Sequence, residues 1–425
     1  MQRIQNDADA RRELGRGGFA LLINGAATAF LGLAYWLVAA RLFSSVEVGR
    51  GSSLVSALLT ISGLAQLNYG RSLAGLLPRA GKESGSLLKS VYIKTAVVST
   101  GLGAAFVVIF PRVSNSLAFL QGRLAFGMAF VLAVPIWTLF TLEDTALTAF
   151  RQSRIIPFEN AGFGSMKLLL LWALGVAGVG LQDFAVFLSW VAPLLLVIIP
   201  INVFLFRRVI PAVASMNENH DEGSPTRWVR YDFVGNILWL LGTMPLPVIA
   251  LGIQGPRMAA AFYVPFTIVN SIDVVSINMG NVLTAEAARA RGKARSEDVR
   301  FMGAVWLLMA SLTVVIVALA PFLLRFFGTE YEASGTGILR LLLLAVLPRS
   351  VFLLSAARAR GLARGRMITL FHSLATAGTL GIGLPLVLQL GTIGLALGWL
   401  VGSMSAAVVA IVFNWRLHAA SVLQS

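Results

Sequence analysis

The sequence predicts an all-α polytopic membrane protein, with twelve transmembrane helices in two six-helix lobes and both termini cytoplasmic. Three observations carry that prediction. The 425-residue chain is 57% hydrophobic and only 12% charged, whereas soluble domains carry roughly 25% charged residues; its mean hydropathy is +0.80. Too few polar side chains remain to coat a folded particle of this size, so most of the surface must face lipid. Apolar runs of about 20 residues, the length that crosses a bilayer core, recur along the whole chain. The basic residues, finally, are distributed very unequally between alternate loops.

The runs start near Gly18, Val46, Lys89, Leu124, Glu159 and Asp183 in the first half, and near Asp232, Arg257, Arg300, Gly335, Arg366 and Leu390 in the second. The first, residues 19–40, is longer than a signal-peptide core and reads as a retained helix. Of the 34 Lys and Arg, 24 fall on the side that holds the N-terminus and 6 on the other, while Lys94, Lys167, Arg340 and Arg349 lie inside spans. Cytoplasmic loops hold the basic excess, which places both termini in the cytoplasm. The same rule accounts for the net charge of +15 without a nucleic-acid partner.

The longest polar segment, Arg207 to Arg230, follows the sixth span and reads as a cytoplasmic linker. The expected organisation is therefore a lobe over 1–206, a linker over 207–231 and a second lobe over 232–425. Equivalent spans in the two halves start at a nearly constant offset, as a duplicated six-helix unit would. Six spans is an even number, so the copies share orientation and relate by an axis along the membrane normal. The outer loops are short and leave no room for an extracytoplasmic domain.

Composition also limits the chemistry. The chain has no cysteine and three scattered histidines, His220, His372 and His418, so disulfides, thiol chemistry and a metal site are not expected. No P-loop pattern occurs. The reading is of a protein without catalytic residues, cofactor or metal.

Three segments carry a family resemblance. Residues 39–49 (AARLFSSVEVG), after the first span, resemble the segment following helix one of bacterial polysaccharide flippases, with Ser45-Val46 standing where that family has Pro-Glu. Residues 67–79 (LNYGRSLAGLLPR) resemble the cytoplasmic end of that family's helix two, and residues 329–335 (TEYEASG) another family position. These flippases belong to the multidrug/oligosaccharidyl-lipid/polysaccharide (MOP) exporter superfamily. The resemblance implies two lobes around a central cavity, alternating access, and export of a polyprenyl-diphosphate-linked glycan across the bacterial cytoplasmic membrane for cell-surface polysaccharide synthesis. It also implies glycosyltransferases or a glycan polymerase as partners. Three alternatives stay open: a cation-coupled multidrug antiporter, a membrane glycosyltransferase or polymerase, and a non-transporting scaffold of a glycan-assembly complex.

Polar groups inside spans mark the candidate site, because lipid cannot satisfy them. Span eight carries Thr267, Asn270, Asp273, Asn278 and Asn281 within one broad stripe at helical spacing, expected to line a water-filled cavity. Ser52, Ser53, Ser56 and Thr60 form a weaker stripe on span two. Asn24 and Asn236 take similar places in spans one and seven. Lys167 and Arg349 lie deep enough in spans five and ten to meet a diphosphate. Glu143 and Asp144 read either as an ion-coupling pair or as a structural pair neutralised by Arg151 or Lys167; the structural reading of the basic groups likewise sets Lys167 and Arg349 against Glu143 and Asp144. Pro245 and Pro247 should kink or break span seven, and the glycines at 391, 394, 398 and 402 should mark close helix packing.

Overall fold

The computed structural model describes residues 25, 27–67, 69–178, 184–215, 227–289 and 296–422, and all regular structure among them is helical. In the first half the helices are α1 (Ala27–Leu42), α2 (Ser45–Ala65), α3 (Tyr69–Ala80), α4 (Ser84–Val113), α5 (Leu124–Ala149), α6 (Ile156–Ala177) and α7 (Ala185–Ala212). The second half has α8 (Arg227–Thr243), α9 (Leu246–Gln254), α10 (Pro256–Arg289), α11 (Ser296–Phe327), α12 (Thr329–Gly361), α13 (Gly365–Leu390) and α14 (Thr392–Val422). Eleven spans among the described residues are long and apolar enough to cross a membrane, α8 and α9 together making one of them; α1 is a shorter apolar helix. The protein is a multi-pass membrane protein.

Local sequence sets the helix ends. Before α2, the Ser44 hydroxyl accepts the Glu47 backbone N–H at 3.3 Å, and the Glu47 carboxylate accepts the Ser44 backbone N–H at 2.8 Å. This reciprocal capping box fixes where α2 begins. Span seven breaks between Thr243 and Leu246, at Pro245, because proline lacks the amide that would continue the ladder. Gly391 makes the turn between α13 and α14 at a φ of 63°, a left-handed conformation that glycine adopts at little cost. After it, Gly394, Gly398 and Gly402 recur every fourth residue. A Cβ added at any of them would strike the backbone of α13, at Leu386, Gly383 and Ala375 respectively. The two helices touch main chain to main chain, as the glycine spacing predicts.

Two expectations need correction. The segment after span two is not a loop: residues 69–80 form α3, whose Leu73 and Leu77 are fully buried. Their i, i+4 spacing supplies the apolar stripe that holds a short amphipathic helix against the unit. The polar connection between the halves is also shorter than 207–231. Helical structure runs on to Ser215, with Leu205, Val209 and Ile210 in the same core cluster, and α8 starts at Arg227. Residues 216–226 between them lie outside the described set.

The chain divides into two units. The first comprises Met1–Leu42, Ile61–Arg112 and Phe119–Glu222; the second comprises Phe43–Thr60, Val113–Ala118 and Gly223–Ser425. Helix α2 thus contributes its first part to one unit and its last residues to the other. The first unit has a core of Leu73, Leu88, Val91, Leu142, Leu147 and Leu205 with their neighbours. The second has one built on Phe352, Ile368, Phe371, Ala406, Ala410 and Phe413. Large apolar side chains such as Leu132, Leu169, Leu196, Val314, Leu388 and Val408 are exposed, which in a membrane protein is the lipid-facing surface.

Candidate functional site

The polar stripes separate once packing is known. On α2, Ser52 donates to the Gly49 carbonyl at 3.1 Å, Ser53 to the Pro247 carbonyl at 3.0 Å and Thr60 to the Ser56 carbonyl at 2.7 Å. All are buried, so this stripe is backbone-satisfied packing rather than a wall open to water. On α10 the stripe divides. Asp273 is buried, whereas Thr267, Asn270 and Asn278 are half-buried and Asn281 is exposed. Asn236 sits half-buried on α8. Asn24 lies outside the described residues.

Arg349, on α12, is 2% exposed and donates from Nε to Asp273 Oδ2 at 2.6 Å. Its guanidinium lies 4.4 Å from the Trp399 ring centre and 5.8 Å from that of Phe352. Its carboxylate partner is therefore Asp273, not Glu143 or Asp144 as the structural reading of the sequence supposes. Sequence alone could not pair them, since they stand 76 residues apart. Two more arginines of α12 are paired: Arg358 with Asp298 at 3.3 Å and with Asn414 at 2.9 Å, and Arg360 with Asp232 at 3.0 Å. Both read as loop charges in sequence, because the length of α12 is hidden by its polar end.

Lys167, on α6, is in a different situation. It is 5% exposed, and no carboxylate lies within ion-pair distance among the described residues. Its Nζ sits 3.4 Å from the Trp190 ring centre, 5.0 Å from Phe163 and 5.3 Å from Tyr35. Tyr35 is fixed by donating to the Val186 carbonyl at 2.5 Å and by contact with the Ser189 hydroxyl at 2.8 Å. Aromatic faces attract a cation by about 2 kcal/mol or more where water is excluded, but they supply no counter-charge. The cage residues are spread over three helices, and nothing in their individual spacing announces it.

Glu143 and Asp144 on α5 likewise lack the partners expected for them. Arg151 is exposed, in the turn after α5 at a φ of 59°. Lys167 is eight residues beyond Glu159, which along α6 is about 12 Å. What lies near Glu143 is another carboxyl, that of Glu159 near the start of α6. Asn202 of α7 donates to Glu143 Oε2. Glu143 Oε1, Asp144 Oδ1 and both Glu159 oxygens have no donor. Glu143, Asp144 and Glu159 are thus a trio of acidic side chains on α5 and α6 that receives one amide donor from α7, Asn202, among the described residues. Glu159 and Asn202 were not singled out by sequence; the signal was a charged residue just inside the fifth run.

No family model and no curated relative matches the chain. Solved structures do. An inward-facing multidrug resistance MATE family transporter of the MOP superfamily matches with a TM-score of 0.64 at 15% identity, covering 96% of both chains. A MATE structure in complex with MaL6 matches at 0.63 and 14%, again over 96% of both. The fold is that of the MATE transporters. A third match is a MOP superfamily transporter from Pyrococcus furiosus, described as having a binding pocket of reverse polarity that suggests a different function (TM-score 0.61, 14% identity, 96% of both chains). Over that MATE fold this chain sets a caged lysine and a carboxyl trio in its first unit and three arginine–aspartate pairs in its second.

Proposed function

We propose that this protein flips a polyprenyl-diphosphate-linked oligosaccharide across the bacterial cytoplasmic membrane by alternating access, for surface polysaccharide synthesis. The observation that carries the reading is Lys167, a buried basic group in the membrane with aromatic walls and no carboxylate within ion-pair distance among the described residues. Burying an unpaired charge is costly, and an anionic cargo would remove that cost when it binds. A diphosphate meets this need; a cationic drug would aggravate it. The half-exposed amides of Asn270 and Asn278, the exposed amide of Asn281 and the half-exposed Asn236 are hydrogen-bonding groups suited to sugar hydroxyls. Arg349 would reach phosphate only by leaving Asp273, which makes it a conditional contact. Glu143, Asp144 and Glu159 supply the coupling site, exchanging a proton or cation as the cargo moves. Glycosyltransferases would load such a cargo and a polymerase would consume it.

The rival reading, a cation-coupled multidrug antiporter, fits the solved neighbours equally well, and the carboxyl trio suits it. Proteoliposomes distinguish the two. The wild-type protein should expose a fluorescent polyprenyl-diphosphate oligosaccharide to an external lectin, and Lys167→Met should slow this at least tenfold. Efflux of a cationic dye by the wild type, unaffected by Lys167→Met and with no glycolipid flipping, would establish the antiporter instead.

A further inference from the structure

Apart from the buried charges, the first unit carries a groove on the surface of its α4–α5 hairpin. Ala104, Val107, Val108 and Arg112 line one wall, and Leu124, Gly127, Met128, Val131 and Leu132 the other, with Leu120 at the end. The spacings, steps of three and four along both helices, put each set on a single helix face. The cavity measures about 440 Å³, within the range of small-molecule sites. It is apolar throughout except for Arg112.

The groove has a direction. Along α5 it extends from Leu124 to Leu132, about 12 Å at the helical rise. Arg112 ends α4 at the hairpin's connecting end, beside the start of α5. No carboxylate pairs with it among the described residues. Arg123, at the N-cap position of α5, adds a second cation at this end. The other end of the groove, toward Val131 and Leu132, has only alkyl walls. The connecting end lies opposite the basic loops, hence at the outer leaflet. A slot with a cation at the water side and hydrocarbon toward the membrane centre has the polarity of one membrane lipid.

We infer that this groove is a binding site for a single anionic glycerophospholipid of the outer leaflet, its phosphate on Arg112 and one acyl chain between α4 and α5. The site is independent of the transported cargo: its lysine and carboxyls play no part in it. Occupancy would add to the contact of Phe106 with Phe130, ring centres 5.0 Å apart, that already joins the two helices.

Native mass spectrometry of the delipidated full chain tests this, with phosphatidylglycerol or phosphatidylcholine added in equal amounts. One phosphatidylglycerol should be retained per chain, at least tenfold in preference to phosphatidylcholine. Arg112→Gln should erase that preference. Met128→Trp, a change at an exposed position, should fill the slot and abolish retention of either lipid while the melting temperature without lipid stays unchanged. Should Met128→Trp unfold the protein, Leu132→Trp serves in its place. Retention that survives the tryptophan, no preference for the anionic lipid, preferential retention of a polyprenyl phosphate, or a dimer in place of the bound lipid would each overturn the assignment.

Discussion

The two units handle membrane-embedded charge in opposite ways. In the second, Arg349, Arg358 and Arg360 each meet an aspartate, and the deepest pair, Arg349–Asp273, is buried on both sides at 2.6 Å. In the first, Lys167 meets aromatic rings and no carboxylate among the described residues, and Glu143 has an amide donor and a neighbouring carboxyl but no cation. A paired charge is a structural element, because its field is spent on its partner. An unpaired one retains its field for something that comes and goes. On this reading the second unit is braced and the first holds the groups that respond to cargo and coupling ion. Substitutions that remove charge should therefore damage folding in one unit and transport in the other.

The largest effect on stability is expected at Arg349. Its replacement by alanine leaves Asp273 buried without its partner, a situation that costs about 3–5 kcal/mol. The melting temperature in detergent should fall sharply. Arg349→Met combined with Asp273→Leu should recover most of the loss, since apolar groups of similar volume replace a buried pair at little cost. If the single variant melts as the wild type does, the second unit is not braced by this pair.

Next comes the glycine contact of α13 and α14. Gly398→Val puts a branched side chain against the Gly383 backbone, and overpacking of this kind costs about 1–3 kcal/mol. Loss of yield and a lower melting temperature are the readouts. An unchanged melting curve would mean that the helices separate readily and that the unit is looser than its packing implies.

Lys167→Met should change stability by less than about 1 kcal/mol, because the cation–π attraction removed is offset by the desolvation cost no longer incurred. Transport should nonetheless fall at least tenfold. A large loss of stability here would place Lys167 among the braces and erase the contrast between the units. The smallest stability effect is expected for Glu159→Gln, which keeps the shape and supplies an amide donor to Glu143. Folding should be unchanged or slightly improved, while transport driven by a proton or sodium gradient should lose its dependence on that gradient. Gradient-driven transport at the wild-type rate would remove the trio from the coupling role.

Much of the fold was legible because a bilayer demands long apolar runs. Span starts read near Val46, Leu124, Arg257, Arg366 and Leu390 sit within two residues of helices beginning at Ser45, Leu124, Pro256, Gly365 and Thr392. The break at Pro245 and the close packing after Gly391 were also legible, since proline and glycine act through their own backbone. Helix α3 was missed because its apolar residues are too few to form a run, although Leu73 and Leu77 mark one face. The site was less legible. Charged residues at the right depth could be named, but their partners could not: Arg349 and Asp273 lie on α12 and α10, and Glu143 and Glu159 on α5 and α6.

By itself, then, the sequence determined the membrane class, the placement of most spans, and the breaks within them. Each depends on properties that neighbouring residues hold in common: apolar length, charge between runs, and the backbone limits of proline and glycine. Only the tertiary structure decided which charges are neutralised. Pairing depends on which faces of distant helices meet, and a rotation of one helix by about 100°, a single residue step, would give Arg349 or Lys167 an altogether different neighbour.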